Sequence, residues 1–528
     1  MKQITNLKLI ILVSLFLVIF GNFAFFSNTM KVYPPDLGNL AFLLSLAVVY
    51  FCIYVFFLSL ICFRVTIKPL LIIILISSSI TAYFMDSYNV VINSNMIDNV
   101  VRTDPAESLD LISLKAIVYL VLLGIVPSLL VYKIRLTRQR PKQAIIYRMS
   151  VMGVALCITI LCIYLLGSFY APFFREHKQL RYYANPAYYI YSIIKYVGKS
   201  TKEASRELKV IGLDAKILED DSRRELIIFV VGETARADRF SLNGYSRKTN
   251  PLLEQETLFN FSNTWSCGTT TAVSVPCMFS IYGQDNYNST EVNTIENMLD
   301  VLQYAGVNVI WLDNNSDSKG VALRVPFENY KSPDKNPICD IECRDEGMLS
   351  NLQAYIDEHT EEDILIILHQ MGNHGPSYFK RYPKEFERFT PTCQTNQLEE
   401  CSREEIDNAY DNAILYTDYF LSKTIALLKQ NSEQFAAAMI YVSDHGESLG
   451  ENNLYLHGLP NMIAPDDQIH IPLIMWFGKG FDAEIDLPGL SKKTNNRYSH
   501  DNLFHTTIGL FELETTIYDP DMDIIDHH

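Results

Sequence analysis

Leu226-Ile227-Ile228-Phe229-Val230-Val231-Gly232-Glu233-Thr234 is an unbroken apolar, β-rich run that stops at a glycine and a carboxylate. A strand apolar on both faces belongs inside a parallel sheet covered on both sides. Four more such runs, 307–312, 364–368, 438–442 and 471–477, alternate with helical patterns, as an α/β domain requires. The polar residues that follow four of the runs are Glu233, then Asp313-Asn314-Asn315, then His369, then Asp444-His445. Ligands of open α/β sheets bind beyond the carboxyl ends of the strands, so these sequence-distant groups are expected to converge.

Glu233, Asp444 and His445 offer two carboxylates and an imidazole, a donor set suited to Zn²⁺ with one position left open. Singly, each has a plainer reading as a helix cap or a turn; their shared place at strand ends points to a metal. A nucleophile is sought in Ser266-Cys267-Gly268-Thr269-Thr270-Thr271-Ala272-Val273-Ser274-Val275-Pro276-Cys277. A threonine hydroxyl attacks phosphorus only when activated, and metal coordination is one way to do so. A helix starting near Thr271 would add its N-terminal dipole, or the threonines would merely cap it. Spacing does not choose among Thr269, Thr270 and Thr271. His374 in a glycine-rich loop and His457 in Tyr455-Leu456-His457-Gly458 suit a second metal or a phosphate. Lys319 is placed to neutralise a phosphate oxygen, with Asn315 and Ser316 donating hydrogen bonds. His500 and His505 receive no assignment beyond orienting a ligand or filling the core.

The chain before this domain is different. Five apolar runs, 8–27, 39–63, 69–86, 113–132 and 149–169, each approach the ~20 residues that cross a bilayer. The first is too long for a signal-peptide core and is read as a retained span. The connection 133–148 carries six Lys and Arg residues, and the 86–112 connection carries five acids against Arg102, so the basic loop is expected inside. Five spans then place everything after about 172 outside. The tyrosine-rich stretch from Tyr182 to Tyr196 suits either a bilayer surface or a packed linker. Six cysteines outside the spans form three close pairs, Cys267/Cys277, Cys339/Cys343 and Cys393/Cys401; local disulfides in an oxidising compartment are the simplest reading. A net charge of −16 over 528 residues disfavours nucleic acid as partner.

The segments around Glu233, Cys267–Cys277, Asn314–Gly320, His374, Ser443–Gly450 and His457, with the five spans, closely resemble the lipid A phosphoethanolamine transferases of Gram-negative bacteria, which include the transferable colistin-resistance enzymes. The resemblance implies a five-helix inner-membrane domain (1–171), an amphipathic interfacial linker (172–220) and a periplasmic, zinc-dependent α/β/α domain of alkaline-phosphatase and sulfatase type (221–528). It selects Thr271 as nucleophile, with Glu233, Thr271, Asp444 and His445 as zinc ligands. It gives His374 and His457 to a second zinc or the donor head group, Asn315, Ser316 and Lys319 to substrate, and Glu447 to support of the ligands. The three cysteine pairs match the family's disulfides. Asn99, Thr103 and Glu107 match positions implicated in donor-lipid binding, although Pro105 argues against one continuous helix through them.

The expected reaction moves phosphoethanolamine from phosphatidylethanolamine through a threonine ester to a phosphate of lipid A, lowering surface negative charge and binding of cationic peptides such as polymyxin. A monomer is expected. The rivals are another acceptor, such as a lipopolysaccharide core sugar or periplasmic glucan, and a non-enzymatic sensor that binds zinc or a glycolipid. A sulfatase activity is disfavoured because Ser274-Val275-Pro276-Cys277-Met278 lacks the arginine of the sulfatase nucleophile signature.

Overall fold

The computed structural model describes residues 3–102, 111–175, 177–203, 207–217, 223–286 and 294–527. The chain divides into two compact units: Met1–Ser94 with Ile112–Lys195, and Asn95–Leu111 with Tyr196–His528. The segment 172–220 is shared between them, and the short stretch 95–111 goes with the second.

In the first unit four helices are long and apolar enough to cross a membrane: Leu40–Ile61, Ile67–Tyr88, Leu114–Lys133 and Pro141–Leu165. The leading apolar run is not one straight helix. Asn6–Phe20 and Phe23–Val32 meet at 53°, and count as a fifth span only as a bent pair. The break falls at Gly21-Asn22, where Leu17 O accepts both from Gly21 N at 2.9 Å and from Asn22 Nδ2 at 2.8 Å, so a side chain joins the last turn's hydrogen bonding at the bend. Asn22 also donates to Asn185 O at 2.6 Å and accepts from Asn185 N at 3.0 Å, while Asn185 Nδ2 donates to Gly21 O and Ser78 O. Leu114–Lys133 carries a π turn at Leu120–Ile125. Gly124 lies within that turn, and a β-carbon there would stand 2.6 Å from Ser79 Oγ, so glycine permits this close helix approach. Of the tyrosine-rich stretch, Tyr183 and Tyr189 are buried, bonded to Asn89 O and Ser77 Oγ, while Tyr191 is exposed. The packed reading of that stretch therefore fits Tyr183 and Tyr189.

The second unit contains twelve strands among the described residues: β1 (Lys216–Ile217), β2 (Arg224–Gly232), β3 (Phe259–Trp265), β4 (Asn308–Asp313), β5 (Phe327–Asn329), β6 (Ile364–His369), β7 (Phe435–Ser443), β8 (Ser448–Leu449), β9 (Tyr455–Leu456), β10 (His470–Phe477), β11 (Tyr498–Ser499) and β12 (Leu513–Glu514). Eight form one sheet in the order β11-β3-β10-β7-β2-β6-β4-β5. The ladder from β7 to β5 is parallel, as expected, but β10 runs antiparallel to both β7 and β3. Strand β3 escaped the apolar-run reading because its burial alternates, as in a strand covered on one face.

Alternation along β2 builds two cores. Ile227, Phe229 and Val231 join one, with Val275, Met278 and Ile508; Leu226, Ile228 and Val230 join the other, with Ile406, Tyr410 and Leu421 of the Arg403–Asn431 helix. That helix starts at a capping box: Ser402 Oγ accepts from Glu405 N and Glu405 Oε2 accepts from Ser402 N, an arrangement worth about 1 kcal/mol. The second unit is thus an α/β/α sandwich, and its cysteines close the three local disulfides, Cys267–Cys277, Cys339–Cys343 and Cys393–Cys401.

Candidate active site

Parallel register brings the ligand candidates together. Gly232 pairs with Ser443, and Val231 and Asp313 both pair with His369, so the residues just past β2 and β7 are neighbours. Asp444 N donates to Gly232 O at 2.9 Å. The ligand atoms of Glu233, Asp444 and His445 lie within 4.8 Å of one another, and all three side chains are buried. Thr271 opens the Thr271–Met278 helix, with Thr270 at its cap. Its Oγ1 lies 3.3 Å from Glu233 Oε2 and 3.5 Å from His445 Nε2. Thr269 Oγ1 instead donates to Leu459 O at 2.6 Å. Of the two, it is Thr271 whose hydroxyl meets the ligand cluster.

The donor set fits a zinc ion. His445 Nδ1 donates to Gly446 O at 2.9 Å, which leaves the Nε2 lone pair facing the carboxylates. Burial holds the His445 pKa well below the ordinary histidine value, with nearby His457 adding to the effect, so the ring is a neutral donor. Asp444 Oδ2 has no hydrogen-bond partner among the described residues, although buried carboxylate oxygens are normally satisfied. Burial raises the pKa of Asp444, the response of an anion set apart from water without a cation beside it.

The backbone around the cluster is held under strain. Thr234 sits at φ +50°, a region that a β-branched residue enters at a penalty of about 1–3 kcal/mol. Tyr410 fixes it, donating to Thr234 O at 2.6 Å and accepting from Arg236 N at 3.0 Å. Asp444 Oδ1 accepts from Thr234 N at 3.1 Å. On the other side of Glu233, Gly372 lies so close that a β-carbon would stand 2.9 Å from Glu233 O, at a φ of +52° that glycine adopts freely.

His457, His374, Asn315 and Lys319 fall around this centre. His457 lies with its ring 4.3 Å from that of His445 and 5.7 Å from that of His374, and its Nδ1 faces Glu447 Oε2 at 3.3 Å. Glu447 thus touches His457 rather than the Glu233 cluster. Glu447 Oε1 and His374 Nδ1 have no hydrogen-bond partner among the described residues. Burial pushes His374 well below the ordinary histidine range, with His457 and Arg381 adding to it. Asn315 Nδ2 donates to Glu233 Oε2 at 2.8 Å and to Gln370 O at 2.7 Å, so it orients the Glu233 carboxylate. Lys319 is fully buried, and its Nζ donates to Ser316 O and Oγ at 2.6 Å each. Asn99 is half-buried on the Ser94–Arg102 helix of the same unit; Thr103 and Glu107 lie outside the described residues. His505 accepts from Asp519 N at 3.1 Å, away from the centre.

Several residues without a sequence assignment hold the site together. His500 Nδ1 accepts from Cys267 N at 3.2 Å while its Nε2 donates to Ser443 O at 3.0 Å, tying the nucleophile loop to the end of β7. Arg236 donates to Glu447 O, Asp238, Glu451 and Asp467 at 2.7–3.1 Å, which pins the turn after Glu447. Asp345 accepts from Asn314 Nδ2, Met371 N and Gly372 N. Asp313 Oδ1 meets His369 Nδ1 at 2.8 Å. A conspicuous sequence signal existed for Asp313 and His369, both at strand ends; Arg236, Asp345 and His500 depend on partners far along the chain.

A threonine hydroxyl, two carboxylates and an imidazole at the carboxyl ends of such a sheet define a sulfatase-type, alkaline-phosphatase-like enzyme domain, and the family model described as Sulfatase matches residues 225–513. The model described as Phosphoethanolamine transferase EptA/EptB matches residues 50–201. Phosphatidylethanolamine transferase Mcr-2 of Escherichia coli is 45% identical over 477 residues, 88% of each chain. Phosphatidylethanolamine transferase Mcr-1 of Escherichia coli is 41% identical over 525 residues, 97% of this chain and 96% of that one. The solved integral membrane protein lipooligosaccharide phosphoethanolamine transferase A (EptA) of Neisseria meningitidis superposes with a TM-score of 0.95 at 34% identity, covering 99% of each chain. The chain belongs to the phosphoethanolamine transferase family of the EptA and Mcr type.

Proposed function

We propose that the chain takes phosphoethanolamine from phosphatidylethanolamine onto Thr271 and passes it to a phosphate of lipid A, on the periplasmic side of the inner membrane. The observation that carries this reading is the Thr271 hydroxyl, 3.3 Å from Glu233 and 3.5 Å from His445 at the start of a helix. Glu233, Thr271, Asp444 and His445 hold the zinc ion, which when bound supplies a Lewis acid and lowers the pKa of a coordinated hydroxyl. Thr271 Oγ1 forms the new bond to phosphorus while the phosphorus–oxygen bond to glycerol breaks, and diacylglycerol leaves with the proton. An oxygen of the acceptor phosphate then attacks phosphorus, the bond to Thr271 breaks, and the threonine hydroxyl regains a proton.

The positive end of the Thr271–Met278 helix stabilises charge on the phosphoryl oxygens. His374, His457, Ser316 and Lys319 surround the head group or a second zinc, and Asn315 keeps Glu233 oriented. Asn99, Thr103 and Glu107 contact the donor lipid. Residues 1–171 anchor the enzyme, 172–220 lie along the interface, and 221–528 carry the chemistry; lipid donor and acceptor suit a membrane-anchored monomer. Masking lipid A phosphate with an ethanolammonium weakens binding of polymyxin-like cations.

The test is diacylglycerol release from a fluorescent phosphatidylethanolamine by wild type and Thr271→Ala, joined to mass spectrometry of lipid A from cells with and without the gene. Release by wild type alone, with a phosphoethanolamine increment on a lipid A phosphate, is expected. Equal release by both proteins would refute the nucleophile. An increment on core sugar alone would refute the acceptor.

A further inference from the structure

Charge in the first unit is sorted to one end. Short bonds draw its chain segments together there: Ile4 N donates to Arg135 O at 3.1 Å, Thr137 N to Ile4 O at 3.0 Å, Lys68 Nζ to Tyr132 O at 2.6 Å, and Arg148 to Cys62 O. The segments 3–8, 62–68 and 132–148 that make this end carry nine lysines and arginines and no aspartate or glutamate. Among the described residues none of the nine forms an ion pair.

A cavity of about 420 Å³ opens at this end between the starts of the Asn6–Phe20 and Pro141–Leu165 helices, a volume within the ~300–1,000 Å³ of small-molecule sites. Its lining divides by chemistry. Leu7, Ile10 and Ile11 are apolar, Lys8, Gln139 and Arg148 bring positive charge and hydrogen-bond donors, and no lining residue is acidic. Arg148 is fixed by neutral partners, bonded to Cys62 O with its guanidinium 4.6 Å from the centroid of the Phe63 ring. Its position is set and its charge is not cancelled. Lys8 is exposed, and its only printed-out bond is made by the main chain, N to Thr5 Oγ1 at 3.2 Å, so the ammonium meets no carboxylate.

We propose that this cavity binds the head group of an anionic phospholipid, in the leaflet that meets the basic end of the first unit, with Lys8 and Arg148 as its phosphate contacts. A glycerophospholipid offers a phosphate to the two cations, glycerol oxygens to Gln139 and methylenes to the apolar side of the lining. Net negative charge is favoured because the surrounding basic end attracts it, whereas a zwitterionic lipid carries an ammonium that the same field repels. The bound lipid ties the Asn6–Phe20 helix to the Pro141–Leu165 helix. This site stands apart from the transferase reading and from the lipids consumed by it.

The experiment uses the full chain in phosphatidylethanolamine nanodiscs that contain a trace of photoactivatable phosphatidylglycerol, with crosslinked peptides mapped by mass spectrometry. Crosslinks are expected within 5–11 and 139–148, and unlabelled phosphatidylglycerol should displace them. In Lys8→Gln/Arg148→Gln their yield should fall about thirtyfold, at about 1 kcal/mol per cation. Arg138→Gln/Lys142→Gln removes the same charge from the same end but outside the cavity lining, and should keep about half the yield or more. Equal losses in the two variants reveal a diffuse attraction and overturn the site. Equal wild-type yields from a photoactivatable phosphatidylethanolamine overturn its preference for an anion. Should the double variant fail to fold, Lys8→Gln alone decides: a fall of about fivefold supports the site, and an unchanged yield rejects it.

Discussion

The bend at Asn22 and the cluster at Glu233 both bury polar groups, and they do so in opposite ways. Every side-chain polar atom of Asn22 is bonded to protein, to Leu17 O, Tyr54 Oη, Asn185 O and Asn185 N. Around Glu233, by contrast, Asp444 Oδ2, Glu447 Oε1 and His374 Nδ1 lack a hydrogen-bond partner among the described residues. Satisfied polar groups fix a shape, and unsatisfied ones await a ligand. The bend therefore uses the Asn22 amide as a joint, with Asn185 Oδ1 beside it left unbonded among the described residues, whereas around Glu233 the unbonded atoms are carboxylates and an imidazole, groups suited to a bound ligand.

That contrast predicts that the two sites fail differently. Thr271→Ala should reduce transfer by about a thousandfold or more while leaving the unfolding temperature within about 2 °C of wild type; activity and thermal unfolding measured on one preparation check both halves. Stripping divalent metal with a chelator should abolish transfer, and restoring zinc to about a thousand times its Kd should stabilise the catalytic unit by about 4 kcal/mol, read as a rise in its unfolding temperature. No comparable metal effect is expected on the membrane unit.

Burial pushes the His500 pKa down to about 4 from an ordinary 6.5, so the folded protein keeps this ring neutral where the unfolded chain would protonate it. The stability that depends on its neutral form is whole above pH 6.5 and is lost as the pH falls toward 4, by about 3 kcal/mol. Unfolding of chelated protein across that range should show the loss, and His500→Gln should flatten it. Smallest is the joint: Asn22→Ala leaves Asn185 N without its partner while Asn185 O keeps Tyr54 Oη, and should lower stability of the membrane unit by about 2 kcal/mol, with diacylglycerol release per folded molecule unchanged.

The contrast also explains what could be read from sequence. Strands β2, β4, β6, β7 and β10 were legible because doubly covered strands are continuously apolar, and their polar C-terminal neighbours marked the candidate ligands. Thr271 was not legible from spacing, because Thr269 and Thr270 carry the same hydroxyl; the family resemblance singled it out, and only the fold separates it from Thr269, whose hydroxyl turns to Leu459 O. Arg236 carried no such signal, since its partners Glu451 and Asp467 lie 215 and 231 residues away. The bend at Gly21-Asn22 was equally hidden, because a run apolar on every side shows length but not curvature.

Gly372 has no side chain to offer a metal, a proton or a substrate, yet its main chain passes against Glu233 with no room for a methyl group. In a survey of loss-of-function substitutions it should score beside the metal ligands, and Gly372→Ala should inactivate the enzyme as surely as many polar losses. Intolerance at such a position records occupied volume, so a map of sensitive residues drawn for this enzyme will outline the ligands together with the wall that holds them.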